Sequence, residues 1–278
     1  MMTSKARERA VSQEPQLDKR VAIVVGAGQT PGETVGNGRA AALVYAREGA
    51  HLLLVDRDSE RLTETLDLVR SAGGSAEAYL ADVLVPTDCS GIAQAALQHF
   101  HRIDILHYNV GRSEGDAEPG ALDVAQWDEI MNLNLRGFVL CCRAVLPVMR
   151  RQSAGSILGI SSAAAIASGS TAAYKASKAG MNALVQSMAV QNGKYGIRVN
   201  AIMPGLMDTP MAIERRTRES GVSRDQIRTA RHRQVPLSTV IGTAWDVAEA
   251  ALFLVSDRAK YISGIALAVD GALSARVG

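Results

Sequence analysis

The chain has 278 residues, 47% of them hydrophobic and 21% charged, and a formal net charge of +2. This size and balance suit a globular domain with a large core, and the charge gives no support for a nucleic-acid partner. The three cysteines form no CxxC pair, which favours reduced thiols in a reducing compartment and no metal site. Residues 1–18 are polar, and no run of 18 apolar residues follows, so we expect a disordered tail and a cytoplasmic protein without a membrane segment.

Short apolar runs alternate along the chain with stretches of helical period. Strands are predicted over residues 21–25, 51–55, 76–80, 103–108, 156–160, 197–202 and 266–269, and the first two of them are predicted to be buried. Helices are predicted over 39–48, 59–72 with Ser59 as its cap, 88–100, 123–149, 174–191 and 245–256. This alternation predicts an α/β fold, a doubly wound parallel sheet in a single domain over 19–278. Residues 204–240 have no clean period and are predicted to form an irregular excursion.

Glycines connect the first predicted strand to the first helix. Gly26 and Gly28 follow the strand, and Gly36, Asn37 and Gly38 precede the helix. Glycines at such a turn let the backbone approach a pyrophosphate, which the free N–H groups of the helix N-terminus stabilise. The pattern predicts a nucleotide site, and the alternative is a flexible turn.

Acidic residues follow the second and third predicted strands. Asp56 can accept both hydroxyls of an adenosine ribose and repel a 2′-phosphate, which favours NAD over NADP. Its neighbour Arg57 could instead reach a phosphate. Asp82 could accept a hydrogen bond from the adenine amino group, or it could simply flank a helix.

A tyrosine and a lysine stand four residues apart at the start of the helix predicted over 174–191. Tyr174 and Lys178 therefore share one helix face. A phenol with a pKa of about 10 is a poor base at neutral pH, and a nearby cation favours its phenolate. The spacing alone arises often by chance, so its meaning depends on the surrounding residues.

Those surroundings resemble the short-chain dehydrogenase/reductase family over about residues 19–273. The matching stretches, in order, are the glycine turn, Asp56, Asp82-Val83, Asn109-Val110-Gly111, Trp127, Asn134 to Phe138, Ile160-Ser161-Ser162, Tyr174 with Lys178, Arg198 to Gly205, Thr209, and Ser263-Gly264 to Asp270-Gly271. The resemblance implies a Rossmann-type fold, a nicotinamide cofactor and oxidoreductase activity.

The resemblance also implies catalytic roles for four residues. Tyr174 is expected to be the general acid/base, and Lys178 is expected to lower the pKa of Tyr174 and to bind the nicotinamide ribose. Ser162 is expected to hold the substrate oxygen, with Ser161 as a rival because Ser162 lies one residue nearer to Tyr174 than is usual in the family. Asn134 is expected to hold a water that relays protons from Lys178, or alternatively to pack a helix.

Cofactor contacts follow from the same resemblance. They are expected from Gly26, Gly28, Gly36, Asn37, Gly38, Asp56, Arg57, Asp82, Val83, Asn109, Gly111, Tyr174, Lys178, Pro204, Gly205 and Thr209. Within this set, Thr209 and the backbone after Pro204 and Gly205 are expected to hold the nicotinamide carboxamide.

The chain departs from the family pattern in the glycine turn. Residues 29–35 lengthen the family's compact turn, and we predict that they form an outward flap rather than a strand. Glu33 would repel a pyrophosphate, so its side chain is expected to face solvent or pair with an arginine. Tyr108 stands where the family's turn motif has its first asparagine.

Residues 204–240 are expected to cover the substrate as a lid. Acidic residues of the lid are Glu214, Glu219 and Asp225, and its arginines are Arg215, Arg216, Arg218, Arg224, Arg228, Arg231 and Arg233. Such a segment is either a solvated charged face or a binding surface for an anionic substrate.

The expected function is that of an NAD-dependent alcohol dehydrogenase or carbonyl reductase acting on a secondary alcohol or ketone. One alternative is an NADPH-dependent carbonyl reductase that uses Arg57 or Arg39. Another is a nucleotide-binding regulator without turnover. The resemblance further implies a homotetramer or homodimer, assembled through the helices at 123–149 and 174–193.

Overall fold

A seven-stranded parallel sheet forms the centre of the protein. The computed structural model describes residues 15–167 and 171–276. The strands are β1 (Val21–Val25), β2 (His51–Asp56), β3 (Ser75–Leu80), β4 (Ile105–Tyr108), β5 (Gly155–Ile160), β6 (Ile197–Pro204) and β7 (Ala266–Val269). Their order across the sheet is β3-β2-β1-β4-β5-β6-β7, with every pairing parallel. The predicted doubly wound α/β fold is confirmed.

Helices cover both faces of this sheet. They are α1 (Asn37–Arg47), α2 (Ser59–Ser71), α3 (Pro86–Phe100), α4 (Val124–Met131), α5 (Gly137–Gln152), α6 (Ala173–Asn192), α7 (Pro210–Ser220), α8 (Arg224–His232) and α9 (Ala244–Val255). Side chains alternate along β1, so that Ala22 and Val24 pack with α1 and α9 while Ile23 and Val25 pack with α3 and α5. Two apolar cores therefore enclose the sheet, as its buried central strands require.

The strand order reverses between β1 and β4, which lie side by side. All strands are parallel, so their carboxyl ends meet at one edge of the sheet. In open α/β sheets, ligands bind outside the carboxyl ends at this kind of reversal. Both the glycine turn after β1 and the loop after β4 lie there.

Two predicted helix boundaries are wrong in an informative way. The helix predicted over 123–149 is interrupted by a π-helical turn at Asn132–Arg136, which separates α4 from α5. A single wide turn leaves the apolar period almost unchanged, so periodicity does not reveal it. Ser59 does not cap α2, because the Asp58 side chain accepts from the N–H of Arg61 and Ser59 is the first helical residue.

The lid is more regular than predicted. Instead of an irregular excursion, residues 204–240 contain α7 and α8. A proline opens α7 and Gly221 closes it in the left-handed conformation, while Ser223 and Gln226 form a capping box at the start of α8. Each helix buries one isoleucine, Ile213 or Ile227, so charged residues fill the other positions and hide the apolar period.

The domain begins earlier than predicted. Residues 16–19 form a turn in which Leu17 is buried in the core, and its N–H donates to the carbonyl of Glu48 at 2.9 Å. The predicted disordered tail therefore cannot include residues 15–18, and its residues 1–14 lie outside the described part of the chain.

One helical stretch among the described residues, Val124–Gln152, is long and apolar enough by length and composition to cross a membrane. It spans α4 and α5, of which α5 packs on α3 and α4 packs on α6. The core helices of globular domains pass the same test, so this stretch is weak evidence for a membrane segment.

Candidate active site

The glycine turn after β1 is shaped to admit a group against its backbone. Gly26 has φ +83°, a conformation that favours glycine, and a Cβ atom at Gly38 would overlap the carbonyl oxygen of Gly26. The Oδ1 atom of Asn37 is buried and has no hydrogen-bond partner among the described residues. A close-approach turn and a helix N-terminus fit the pyrophosphate end of a dinucleotide, because both offer backbone N–H donors to its oxygens.

Asp56 lies beside this turn. Its Oδ2 accepts from the N–H of Gly28 at 2.9 Å and its Oδ1 from the N–H of Asp58 at 3.1 Å. These two bonds hold the carboxylate at the carboxyl end of β2. Arg57 is exposed, whereas Arg39 is buried and donates to Glu64 at 2.7 Å and to Thr65 at 2.9 Å.

The other expected cofactor residues follow the same edge of the sheet. Asn109 donates through Nδ2 to the carbonyl of Gly26 at 3.2 Å, which joins the end of β4 to the glycine turn. Asp82 accepts from the N–H of Leu84 at 2.9 Å, and Val83 is buried beside it. Beyond β5 in the strand order, Pro204 ends β6. The N–H of Gly205 donates to the carbonyl of Val269 at 3.0 Å, and the buried Thr209 is the N-cap residue of α7.

Lys178 is almost fully buried below Tyr174. Its Nζ donates to the carbonyl of Ile160, at the end of β5, at 2.8 Å, and lies 5.7 Å from the centroid of the Tyr174 ring. A Cβ atom at Gly111 would lie 2.7 Å from the same Nζ. The ammonium group therefore has room only because position 111 carries no side chain.

Ser161 and Ser162 have different partners. The buried Ser161 hydroxyl donates to the carbonyl of Lys178 at 3.1 Å, inside the fold. Ser162 accepts from the N–H of Ala164 at 3.1 Å, and it lies near enough to Tyr174 to oppose the rise in pKa that burial causes in that phenol. The structure thus places Ser162, rather than its rival, beside the phenol.

The charges around Tyr174 differ from those expected from the family resemblance. Burial raises the pKa of Tyr174, and the opposing effects are the nearby Ser162 hydroxyl and the positive charges of Arg215 and Arg216. Burial lowers the pKa of Lys178 from 10.5 to about 7, so this lysine is not a fixed cation at neutral pH. In the structure, arginines of the lid favour the phenolate.

Asn134 occupies the π-helical turn, which directs its buried side chain towards α6. Its Oδ1 accepts from the N–H of Arg112 at 2.9 Å, and its Nδ2 donates to Arg112 O and to Ser177 Oγ, both at 3.0 Å. Tyr108 holds the same turn, because its buried hydroxyl donates to the carbonyl of Leu133 at 2.7 Å. The side chain of Asn134 ties the loop after β4 to α6.

Sequence reasoning missed Asp116, which lies in the loop after β4. Its Oδ2 accepts from the N–H of Tyr174 at 2.7 Å, and its Oδ1 accepts from those of Ala172 and Ala173 at 3.2 Å and 3.1 Å. A carboxylate on three N–H groups at a helix N-terminus fixes where the helix begins. The sequence holds no local signal for this, because the contact spans 58 residues.

The flap at residues 29–35 forms no strand, as predicted, and it packs against α7, because a Cβ atom at Gly32 would lie 2.9 Å from side-chain atoms of Pro210 and Glu214. Gln29 closes its base by donating to Thr34 O at 3.1 Å and accepting from the N–H of Gly36 at 2.8 Å. Glu33 pairs with Arg228 at 3.1 Å and with Arg224 at 3.8 Å. The predicted arginine partner is therefore present, and it belongs to α8, so the flap contacts the lid.

A glycine turn after β1, a reversal of strand order and a Tyr–Lys pair at the start of α6 together define an oxidoreductase of the dinucleotide-binding class. A family model described as enoyl-(acyl carrier protein) reductase matches residues 33–274. The chain belongs to the short-chain dehydrogenase/reductase family, whose members use a nicotinamide cofactor, NAD or NADP.

Three relatives show the range of the family. The 2-(R)-hydroxypropyl-CoM dehydrogenase of Xanthobacter autotrophicus is 38% identical over 261 residues, covering 92% of this chain and 99% of that protein. The crystal structure of levodione reductase is 32% identical with a TM-score of 0.86, covering 94% of this chain and all of that one. A crystal structure of an actinorhodin polyketide ketoreductase variant with NADPH is 28% identical with a TM-score of 0.85, covering 93% and 98%.

The burial of Lys178 predicts a pH-dependent stability. The folded state holds this lysine with a pKa of about 7, whereas the unfolded chain holds it at the ordinary value of 10.5. Between these values the unfolded state binds more protons, so the lysine's contribution to stability rises with pH. Lys178→Met removes this contribution, and its melting temperature relative to wild type should fall as pH rises from 7 towards 10. Lys194→Met, at an exposed lysine, is the control and should show no such slope. If the melting temperature of Lys178→Met relative to wild type changed with pH no more than that of the control, the lowered pKa of Lys178 would be contradicted.

The contact between flap and lid predicts a second effect. Glu33→Gln removes the carboxylate that pairs with Arg228 and Arg224, and exposed ion pairs contribute about 0.2–1 kcal/mol. Trypsin should then cut within α7–α8 up to about fivefold faster, because cleavage follows the population of the opened lid. Asp225→Asn is the matched control, since it removes a 92% exposed partner of the same Arg228. Equal cleavage of both variants would show that Glu33 does not hold the lid.

Proposed function

We propose that the protein is an NAD-dependent alcohol dehydrogenase or carbonyl reductase, with Tyr174 as its general acid/base. The observation that carries this proposal is the convergence of Ser162, Tyr174 and Lys178 at the edge of the sheet that also holds the glycine turn. The dehydrogenase and reductase names of the relatives support the same reaction class.

Each residue of the set has a task in this proposal. When bound, the nicotinamide cofactor supplies or accepts the hydride. The Tyr174 hydroxyl gives its proton to the carbonyl oxygen during reduction and takes it back during oxidation. Ser162 hydrogen-bonds the same substrate oxygen and holds it against the phenol. Lys178, with a pKa of about 7, can return the proton to Tyr174 and can bind the nicotinamide ribose.

Asn134 enters the proposal as part of the proton path. Both hydrogens of its side-chain amide are used, by Arg112 and Ser177, so the side chain anchors the loop. Its Oδ1 and Lys178 Nζ both lie close to Gly111. A Cβ atom at Gly111 would be 3.4 Å from Asn134 Oδ1 and 2.7 Å from Lys178 Nζ. A water beside Gly111 would therefore reach both groups, which supports the expected relay.

The preference for NAD rests on Asp56. Its carboxylate is fixed by Gly28 and Asp58 at the point where a Rossmann-type fold receives the adenosine ribose, and a 2′-phosphate there would meet a negative charge. The NADPH alternative is weakened at Arg39, whose guanidinium already binds Glu64 and Thr65. Of the two arginines that the NADPH alternative would use, Arg57 is the exposed one, and it could bind the 2′-phosphate.

Tyr174→Phe tests the catalytic role. Loss of the hydroxyl should reduce kcat by about 10²–10⁴-fold, the usual contribution of general acid/base catalysis. Cofactor affinity, measured by quenching of protein fluorescence, should change little because the ring still packs. Wild-type turnover in this variant would remove Tyr174 from the mechanism, and absence of turnover in the wild type over secondary alcohols, ketones, sugars and hydroxy acids would favour the regulator alternative.

Asp56→Ala tests cofactor choice. The wild type should bind NAD more tightly than NADP, and the variant should narrow that ratio by about tenfold, as expected for loss of charged hydrogen bonds. Asp58→Ala, which changes the next carboxylate along the chain, should leave the ratio nearer the wild-type value. Tighter binding of NADP by the wild type would overturn the assignment.

The assembly expected from the family, a homotetramer or homodimer, is part of the proposal. Val139 on α5 and Val190 on α6 are 40% and 85% exposed in the single chain, so both helices offer apolar surface to a second copy. Light scattering should give a multiple of the 29.4 kDa chain mass at micromolar concentration. A particle of one chain would contradict it.

A further inference from the structure

The arginines of the lid divide into two groups by their ionic partners. Those on the side of the flap are neutralised: Arg224 lies 2.8 Å from Glu214, and Arg228 lies 3.1 Å from both Asp208 and Glu33. These pairs account for the charge of the outer lid without any ligand.

The second group is Arg215, Arg216 and Arg231, all half-buried. Within the described ranges, no carboxylate lies within 4.0 Å of Arg216 or Arg231. Arg215 is 3.6 Å from Glu219, which is itself 54% exposed, and its Nε makes no hydrogen bond to a described residue. The charge of Asp208 also acts on Arg231, but that carboxylate is already paired with Arg228 at 3.1 Å. Among the described residues, the three guanidinium groups therefore have no carboxylate closer than the 3.6 Å between Arg215 and Glu219.

Most donors of this group are uncommitted. Each guanidinium has five N–H donors, and carbonyl oxygens take few of them. Arg216 donates to Ala212 O at 2.7 Å, and Arg231 to Met207 O at 3.3 Å. Planar guanidinium groups with free donors match the oxygen atoms of carboxylate, sulfonate or phosphate.

The group also lies next to the reacting centre. Arg215 donates to Ser113 Oγ at 2.9 Å, in the loop after β4 whose Asp116 caps the helix of Tyr174. Burial raises the pKa of Tyr174, and the positive charges of Arg215 and Arg216 oppose that rise, so both guanidinium groups act on the phenol.

Energetically, the cluster is unfavourable as it stands. Burial and the charge of Arg216 lower the pKa of Arg231 to about 10, and burial with the charge of Arg215 lowers that of Arg216. Proteins normally pair the charges that they bury. A solvated charged face would show neither the burial nor the mutual repulsion, so the cluster is better explained by a negatively charged ligand.

We propose that the substrate is a secondary alcohol or ketone bearing an anionic group, and that Arg216 and Arg231, with Arg215 beside them, bind that group. The inference rests on the proposed function and names its substrate class. Arg216 and Arg231 set specificity by charge, while Ser162 and Tyr174 hold the oxygen that reacts.

Matched pairs of oxo acids and their methyl esters test the charge requirement. Binding is measured by calorimetry on the full chain saturated with oxidised cofactor, which cannot reduce a ketone. Pyruvate, 4-oxopentanoate, 5-oxohexanoate and 6-oxoheptanoate vary the distance between carbonyl and carboxylate. At one or more spacings the acid should bind at least about tenfold more tightly than its ester, the difference expected for hydrogen bonds to a charged group. Methanesulfonate and inorganic phosphate, as competitors, show which anion the group prefers.

Variants assign the effect to the cluster. Arg216→Gln and Arg231→Gln should each reduce the ratio of acid to ester affinity by about tenfold. Arg224→Gln is the control, because it lies on the same lid with its charge neutralised by Glu214, and it should keep the wild-type ratio. Cofactor affinity should be unchanged in all three.

Equal affinity of acids and esters at every spacing would overturn the inference, as would a ratio that Arg224→Gln changes as much as Arg216→Gln. The proposed function fails separately. If the acids bind selectively but no alcohol or ketone is oxidised or reduced with either cofactor, the anion site stands and the dehydrogenase assignment falls.

Discussion

The active site depends on the burial of one lysine side chain beneath the edge of the sheet. The Nζ of Lys178 needs an acceptor, which is the carbonyl of Ile160 at the end of β5, and it needs space, which exists because Gly111 at the end of β4 has no side chain. Adjacent parallel strands β4 and β5 supply both. The start of α6 is then held by Asp116, so that Tyr174 lies above the lysine. Strand order, a glycine and a helix cap are parts of one constraint.

Much of this arrangement is predictable from the sequence because it is local. Strands β1 and β7 have the predicted bounds, since short apolar runs between turn residues leave few other solutions for a parallel strand. Tyr174 and Lys178 are fixed relative to each other by helix geometry alone. The cap by Asp116 and the anchor from Tyr108 to Leu133 join distant parts of the chain, and no period or motif marks them. These two contacts can be identified only from the folded structure.

The lid shows a different limit of sequence reasoning. Its helices are stabilised by a proline start, a capping box and ion pairs, and each contributes one buried isoleucine, so hydrophobic period is a poor guide to them. The same composition conceals two kinds of arginine. Arg228 is matched with carboxylates, including Glu33 of the flap, while Arg216 is matched with none among the described residues. Only the pairing, which needs coordinates, separates structural charge from charge available to a ligand.

Charge on the lid also bears on the acid/base chemistry that we propose for Tyr174. Burial raises the pKa of Tyr174, whereas Arg215 and Arg216 favour its phenolate, and Lys178 is too deeply buried to remain fully charged at neutral pH. An anionic substrate would neutralise part of the arginine charge and so withdraw that stabilisation. The pKa of the phenol, which burial already raises, would then rise further, and the phenol would stay protonated at neutral pH, which suits its proposed role as the acid in carbonyl reduction. Substrate charge and proton transfer are therefore linked through the same two arginines.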